Sequence, residues 1–513
     1  MHTINFLSRI WRRVLAKETL LCALALLPGS IFVFAQLPPL WRDNDSIGQL
    51  TSPPGHFILL QFPALYPFVS RVPLLLISGL TSLAHGTPLH VDPQARVLLN
   101  DGGIYLLIVA QHLALLFSLA LFVVTVAQGR KRRVLIILLA LITPVLFLSA
   151  QLISSEALGV ILMIILLAGA VHIFREKTTD WPTLTLFGLC LYLNIMTRHV
   201  SAVFAALLPL GFLCALVRAR SITKPLHLWR IFFRTVTIGL LAICFAYATT
   251  FFLCVIFREP YRSIVSRTAV YRLDEIDHLP PAERAAFIQT LQDKADDPLT
   301  KEAIPIILEA KGYWSRSLFE IERLIEARYP PMRSRERHKL ADTYLTKIIR
   351  LFYSAAPPFL LENTRTAIIN SFRQTNDDDV SNVFLKIGLV SLQVFRESPR
   401  LHTWTAGLTS CSAEAAQRIT AFADRRWLSR ANKIPCGFLL IGSTAVATVL
   451  AFLQRLPRWR LHALCAILLT DLLLMIGTFA VSPYSERQIL PACIFAFASI
   501  ALLLGGVGQR CEN

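Results

Sequence analysis

The chain has 513 residues, of which 54% are hydrophobic and only 16% are charged, and its mean hydropathy is +0.55. A soluble globular protein carries about 25% charged residues, so this composition is typical of a polytopic membrane protein. The formal net charge is +18, but the basic residues form short clusters between apolar runs, without the basic-aromatic interleaving of nucleic-acid-binding proteins. We therefore expect an integral membrane protein with membrane lipids as its surroundings and no nucleic-acid partner.

Apolar segments of about the length that a membrane-spanning helix needs recur along the chain. We count ten of them: 18–36, 104–127, 134–152, 156–174, 182–197, 200–217, 232–256, 436–454, 462–482 and 489–508. If the N-terminus is cytoplasmic, the basic clusters between them all fall on the cytoplasmic side, as the positive-inside rule requires. These clusters lie at 130–133, 175–177, 218–230 and 455–460. The sequence thus predicts an all-α, multi-pass protein of about ten transmembrane helices with both termini inside.

The first outer segment, residues 37–103, contains an apolar stretch at 56–84 that is interrupted by Pro63, Pro67 and Pro73. Proline removes a helical hydrogen bond and kinks or breaks a helix, and a span here would reverse the charge pattern. We therefore predict helices that lie on the outer membrane surface or re-enter it.

The second outer segment, residues 258–435, is the one large hydrophilic block of the sequence, and its apolar residues recur at helical spacing. We predict a helical extracytoplasmic domain there. It separates an N-terminal membrane module, residues 1–257 with seven spans, from a C-terminal module, residues 436–513 with three.

Charged and polar residues collect on the outer face. The first outer loop begins with Trp-Arg-Asp-Asn-Asp-Ser at 41–46, and the short outer turns carry polar groups at 154–156, 194–199 and 484–487. For any one of these segments alone, simple solvation of the charge is the better interpretation, but four charged segments on one face favour a shared cavity. The candidate residues are Asp43, Asp45, His56, Tyr66, Arg71, Glu156, Arg198, His199 and Arg487.

These residue types suit one kind of chemistry. A carboxylate can act as a general base that takes the proton of an acceptor hydroxyl or amine, and arginine forks bind phosphate in a bidentate manner. Nucleotide sugars are not normally present outside the cytoplasm, so a sugar linked to a polyprenyl phosphate is the natural donor. The acceptor is then a lipid, a glycan or a protein at the outer face.

The order of these motifs resembles the GT-C superfamily of membrane glycosyltransferases, in particular bacterial relatives of the protein mannosyltransferase and aminoarabinose transferase type. The matching segments are Asp45-Ser46, Phe62-Pro63-Ala64-Leu65-Tyr66-Pro67 with Arg71 after it, Thr197-Arg198, and Glu486-Arg487 to Pro491. Gln49 stands where the family has a tyrosine. The resemblance implies a bacterial inner membrane enzyme with an outward-facing site.

By the same resemblance, Asp45 is the principal catalytic carboxylate and Asp43 its neighbour or helper. Arg198 and Arg487 are expected to hold the donor phosphate, unless they only reach towards the outer head groups. The predicted substrate site is completed by Arg71, Glu156, His56, Tyr66 and His199. Histidines in such places are more often structural or interfacial residues than bases, and Tyr66 is more readily understood as a membrane-interface anchor than as a platform for a sugar.

Three questions stay open at the level of sequence. Asp43-x-Asp45 has the spacing of a divalent-cation site, in which donor phosphate and water would complete the ligands of magnesium or manganese, whereas many enzymes of this family look metal-independent. A transporter or lipid flippase is the alternative from another class, but no internal repeat is visible and the polar groups cluster at one face. An inactive GT-C-like scaffold is the third reading, and Gln49 is the residue that favours it.

Overall fold

The computed structural model describes residues 16–51, 64–86, 99–176, 180–219, 225–257, 269–309, 314–355, 361–366, 368–369, 380–425, 436–453, 456–481 and 486–506. Helices make up nearly all of this part of the chain, as the sequence predicts. The first half contains α1 (Lys17–Gln36), α2 (Asp43–Thr51), α3 (Leu65–His85), α4 (Asp101–Val126), α5 (Arg130–Leu141), α6 (Pro144–Ala150), α7 (Ser155–Glu176), α8 (Trp181–Ile195), α9 (Leu207–Ala219) and α10 (Pro225–Ile256). A 3-10 helix, His199–Ala206, leads directly into α9.

The second half begins with a 3-10 turn at Val270–His278. It continues with α11 (Pro281–Asp293), α12 (Pro298–Glu309), α13 (Trp314–Arg328), α14 (Ser334–Ala355), α15 (Val380–Glu397), α16 (Pro399–Thr405) and α17 (Ala413–Ala423). The last helices are α18 (Cys436–Phe452), α19 (Arg458–Val481) and α20 (Glu486–Leu504). The described strands are β1 (Leu40–Trp41) and β2 (Leu152–Ile153), which pair in parallel.

Seven described helical segments are long and apolar enough to cross a membrane, by length and composition alone. The pair α5 and α6, bent by 65° at its break, brings the number to eight if it forms one span. Three further apolar helices are shorter: Trp181–Ile195, Leu439–Phe452 and Leu490–Leu504. Each of the ten predicted segments overlaps one of these helices or helix pairs. A multi-pass membrane protein is therefore compatible with the fold.

Two prolines of the segment 37–103 lie within one continuous helix, α3. Pro67 lies in the first turn, where a backbone N–H has no partner inside the helix, and the helix continues through Pro73. By length and apolarity α3 is itself one of the seven. Residues 65–85 are therefore helical, as the sequence predicts. Their place on the outer membrane surface, or their re-entry into it, stays a prediction.

Helix α3 runs antiparallel to α4. Near its start the Tyr66 hydroxyl bonds to Gln111, and further along Asn100, which caps α4, donates to the Leu74 carbonyl oxygen. A side chain at Gly103 would place its Cβ 2.6 Å from the Leu74 Cα, so the close approach of the two helices requires glycine there. Since Gln111 is ten residues inside α4, α3 starts about 15 Å below the outer end of α4 and passes beyond it.

One end of the helix bundle gathers basic residues, and we call it the basic end. Arg133 at the start of α5 pairs with Glu18 of α1 at 2.9 Å, and Arg175 near the end of α7 donates to the Thr125 carbonyl oxygen at 3.1 Å. Arg460, fully buried at the start of α19, donates to the carbonyl oxygens of Val126, Leu502 and Gly505. Three of the four predicted basic clusters thus have members at the same end of the bundle.

The hydrophilic block has two parts with different packing. Residues 269–355 enclose a hydrophobic core of their own, to which α12, α13 and α14 contribute. Helices α15 to α17 instead share the core of the membrane helices. Phe395 of α15 contacts the Trp41 ring edge-to-face at 5.6 Å, and the Trp41 indole N–H donates to the Ser410 hydroxyl. The boundaries of the predicted extracytoplasmic domain stay a prediction.

Candidate functional site

The candidate site lies at the carboxyl ends of the two paired parallel strands. Leu40 pairs with Leu152 and Trp41 with Ile153, and each strand leads almost directly into a helix. Because parallel strands end on the same side, the N-termini of α2 and α7 lie next to each other. Helix N-termini carry partial positive charge and unpaired N–H groups. Negatively charged groups are therefore stabilised at this end of the strand pair.

Three charged side chains meet there, and we call them the charge cluster: Arg42, Glu156 and Arg198. Arg42 precedes α2 and pairs with Glu156 in the first turn of α7, and the Arg198 Nη2 lies 3.6 Å from the same Glu156 oxygen. The side chains are 20%, 9% and 16% exposed, in the order Arg42, Glu156, Arg198. Two guanidinium groups thus lie on one carboxylate in a largely buried setting, where charge interactions are stronger than in water.

Small residues let the cluster assemble. The Ser46 hydroxyl accepts the Arg42 backbone N–H at 2.7 Å and donates to the Ile153 carbonyl oxygen, which joins α2 to β2. Gly159 lies under Arg198, and a Cβ there would come within 3.2 Å of the Arg198 Cδ. Glycine at this position of α7 therefore gives the arginine room to reach Glu156.

Two buried polar residues of α4, Gln111 and His112, form hydrogen bonds to the segments around the strands. The Gln111 side-chain amide donates to the carbonyl oxygens of Ala150 and Leu152, at 2.9 and 3.0 Å. These carbonyls lie where helix α6 has ended and β2 is too short to pair them. Gln111 thus satisfies backbone groups that would otherwise be unpaired in the interior, which is costly.

His112, next to Gln111, does the same for the other strand. The Gln151 amide nitrogen donates to the Leu37 carbonyl oxygen at 2.9 Å, so its oxygen accepts from the His112 Nε2–H at 2.9 Å. The other ring nitrogen, Nδ1, then accepts from the Ser30 hydroxyl at 3.1 Å. The neutral tautomer that results ties α1, α4 and the approach to β2 together.

Of the predicted site residues, Glu156 and Arg198 are brought together. Tyr66 is 1% exposed and donates to Gln111 at 3.2 Å, so it is a buried support rather than a surface residue. Arg71 is also buried on α3, which packs against both α2 and α7. His199 stacks on the Tyr247 ring with centroids 6.1 Å apart and an angle of 6° between planes.

The remaining predicted site residues have side chains outside the part of the chain that the structure describes. The side chains of Asp43, Asp45 and Arg487 and the whole of His56 lie outside the described residues. The backbone places Asp43 and Asp45 in the first turn of α2, beside Arg42. Which carboxylate serves the reaction, and whether the pair binds a cation, therefore stay predictions. Among the described residues no group of three His, Cys, Asp or Glu could hold a metal ion.

Sequence reasoning missed two charged residues. Arg42 lies directly before the acidic motif, and its own charge was the signal that could have identified it. Asp471 lies inside the apolar run of α19, is 1% exposed, and neither carboxylate oxygen has a hydrogen-bond partner among the described residues. A single acidic residue in a span is a recognised mark of function.

Comparison with known proteins adds no relative: a scan against protein-family models matches none, and a search of the curated proteins likewise finds no match. The likeness to GT-C enzymes accordingly rests on the residues named above.

Proposed function

We propose that the protein is a membrane glycosyltransferase that moves a sugar from a polyprenyl phosphate to an acceptor on the outer face of the membrane. The observation that carries the proposal is the charge cluster. Arg42 and Arg198 come from distant parts of the chain, share Glu156, and lie at two helix N-termini. This arrangement is suited to the phosphate group of a donor.

In the proposed reaction the acceptor oxygen or nitrogen forms a bond to the anomeric carbon of the sugar, and the bond from that carbon to the phosphate oxygen breaks. The acceptor proton passes to Asp45, with Asp43 as its neighbour, and the electron pair of the broken bond leaves with the polyprenyl phosphate. Arg42 and Arg198 stabilise the charge that the leaving phosphate gains. Arg487, on the last outer turn, is proposed as a further phosphate ligand.

A ten-span topology in the bacterial inner membrane, with the site facing outward, belongs to the same proposal. It is supported by the distribution of charge, because the charge cluster lies at the end of α7 opposite to Arg175. Along α7, Glu156 and Arg175 are 19 residues apart, about 28 Å at the rise of an α-helix, which approaches the thickness of the hydrocarbon core.

One observation favours the transporter alternative. Asp471 is a buried carboxylate eleven residues from Arg460 along α19, about 16 Å above the basic end. Carboxylates at such depth mark ion or proton pathways in transporters. Asp471→Asn should leave sugar transfer unchanged if the protein is a glycosyltransferase, whereas a carboxylate-dependent transporter would lose transport in proteoliposomes.

The test of the proposal is capture and turnover of donor by the purified protein in lipid nanodiscs. Asp45→Asn keeps the shape of the side chain but removes the base, so turnover should fall by roughly 10²–10⁴-fold while a photoactivatable polyprenyl phosphate is still captured. Arg42→Ala and Arg198→Ala should instead lower the capture itself. Arg→Lys at these positions retains the charge but loses the bidentate geometry of the guanidinium group. It should therefore impair capture, although a model based on charge alone predicts no change.

Arg458→Ala is the matched control, because this exposed arginine lies at the basic end. Collapse of turnover in Asp43→Asn together with normal turnover in Asp45→Asn would move the base to Asp43. Normal turnover in both variants would refute base catalysis by this loop, and undiminished capture in the Arg42→Ala, Arg198→Ala double variant would refute the phosphate site.

A further inference from the structure

Around the charge cluster, four buried polar atoms have no hydrogen-bond partner among the described residues. They are Gln49 Oε1, Ser154 Oγ, Glu156 Oε2 and Asn194 Nδ2. Ser154 and Asn194 are fully buried, and Gln49 is 2% exposed. Buried polar groups in native proteins nearly always have a partner, so four unpaired ones in one region indicate that something absent from the bare chain binds there.

The four residues belong to the segments that form the charge cluster or adjoin them, and we call them the polar subsite. Ser154 and Glu156 flank the start of α7, directly after β2. Gln49 lies three residues after Ser46 on α2, and residues at that spacing share a helix face. Because Ser46 bonds to Ile153, this face of α2 is turned towards the end of β2.

Asn194 joins from the end of α8. Its backbone oxygen accepts the Arg198 N–H at 2.8 Å, so Asn194 lies one helical turn from the backbone of a charge-cluster residue. Its side-chain oxygen accepts the Ser201 hydroxyl at 3.0 Å. The amide nitrogen is consequently the group left for a ligand.

The chemistry of the subsite restricts what can bind. Gln49 Oε1 and Glu156 Oε2 accept hydrogen bonds, Asn194 Nδ2 donates, and the Ser154 hydroxyl does either. A matching ligand must therefore carry both donors and acceptors beside an anionic group for Arg42 and Arg198. A lipid chain offers neither, whereas a hydroxyl-bearing sugar ring attached to a phosphate offers all of them.

We infer that the polar subsite binds the hydroxyl groups of the transferred sugar, so that the protein recognises a glycosyl phosphate and not only the lipid phosphate. This inference rests on the proposed function for the identity of the anion. It deepens the proposal by assigning sugar selection to Gln49, Ser154 and Asn194.

The experiment measures binding of short-chain probes to the full-length protein in nanodiscs. The probes are citronellyl phosphate and the same phosphate carrying glucose, mannose, galactose or glucosamine. We expect at least one sugar-bearing probe to bind at least tenfold more tightly than citronellyl phosphate. Asn194→Leu keeps about the same volume but removes the donor without adding charge. Together with Gln49→Leu it should reduce that preference below threefold while the affinity for citronellyl phosphate is retained.

Gln393→Leu, on the exposed surface of α15, is the control and should change neither affinity. Thermal unfolding of each variant checks that it is folded. Asn194→Leu and Gln49→Leu are also measured singly, so that the test still stands if one of them does not fold. The inference is overturned if the wild-type protein prefers no sugar-bearing probe, or if the preference survives in the double variant. In either case the polar atoms of the subsite would bind water and not the sugar. A sugar preference without any transfer to an acceptor would refute the glycosyltransferase and leave the subsite standing.

Discussion

At the scale of single residues, the arginines of the two ends of the bundle have different partners. Arg42 and Arg198 face a carboxylate that a ligand phosphate can supplement. Arg460 instead donates to backbone carbonyl oxygens at the ends of α4 and α20, which have no partner inside the helix. The first pair is proposed to bind a ligand, and Arg460 joins three helices at the basic end.

Replacement of Arg460 by lysine should therefore destabilise the bundle. A lysine ammonium cannot reach three carbonyl oxygens with the fixed fork of arginine, and hydrogen bonds from charged donors contribute about 1.5–3 kcal/mol each. We expect Arg460→Lys to lower the midpoint of thermal unfolding in nanodiscs clearly, whereas Arg458→Lys, at an exposed position two residues away, leaves it within experimental error. Equal midpoints for the two variants would contradict the role given to Arg460.

At the scale of elements, the helical unit of residues 269–355 is held by a capped helix start. Asp297 precedes α12, accepts the Thr300 backbone N–H at 2.8 Å, and receives the Lys347 ammonium of α14 at 2.5 Å. Burial raises the pKa of Asp297, but the bonds from Lys347 and Thr300 outweigh it, and the pKa is lowered overall. The bond to Asp297 likewise raises the pKa of Lys347.

This cap makes the local stability of α12 dependent on pH. Because the folded pKa of Asp297 lies below its ordinary value, the stabilisation is present above that value and is lost as the pH falls through the folded pKa. We expect exchange of the amides in residues 298–309, corrected for intrinsic rates, to accelerate on acidification of the wild-type protein. Asp297→Asn retains a capping oxygen and should remove most of this pH dependence, while Asp297→Ala should cost about 1 kcal/mol more at neutral pH. An unchanged pH profile in Asp297→Asn would assign the effect to another group.

At the scale of the whole molecule, the charge cluster and the basic end lie at opposite ends of α7. The sequence predicts that the helical unit of residues 269–355 lies on the outer side. The distribution of positive charge sets the orientation of a multi-pass protein. The topology is therefore open to a direct test that does not depend on the reaction.

We expect Lys131→Cys and Lys301→Cys, both at exposed positions, to react from opposite sides of the membrane. A membrane-impermeant maleimide applied to intact cells should label position 301 and should label position 131 only after permeabilisation. The native cysteines are replaced beforehand to give a silent background. Labelling of both positions from the same side would reject the ten-span topology and the outward-facing site with it.

Local information in the sequence was sufficient for the helices. Apolar runs such as 104–127 and 156–174 coincide with α4 and α7, because hydropathy and helical spacing depend on neighbouring residues. The presence of an acidic motif and of Glu156 and Arg198 at the outer turns was likewise a property of the sequence. Tertiary packing decided which of these residues meet. The pairing of β1 with β2 brings Arg42 to Glu156, which is 114 positions away in the chain. Gln111 and His112 are polar residues of α4 whose hydrogen-bond partners lie in other segments. The path of α3 along α4 depends on a close contact at Gly103. Such contacts join residues far apart in the chain, and no local pattern specifies which of many polar groups will meet inside the bundle.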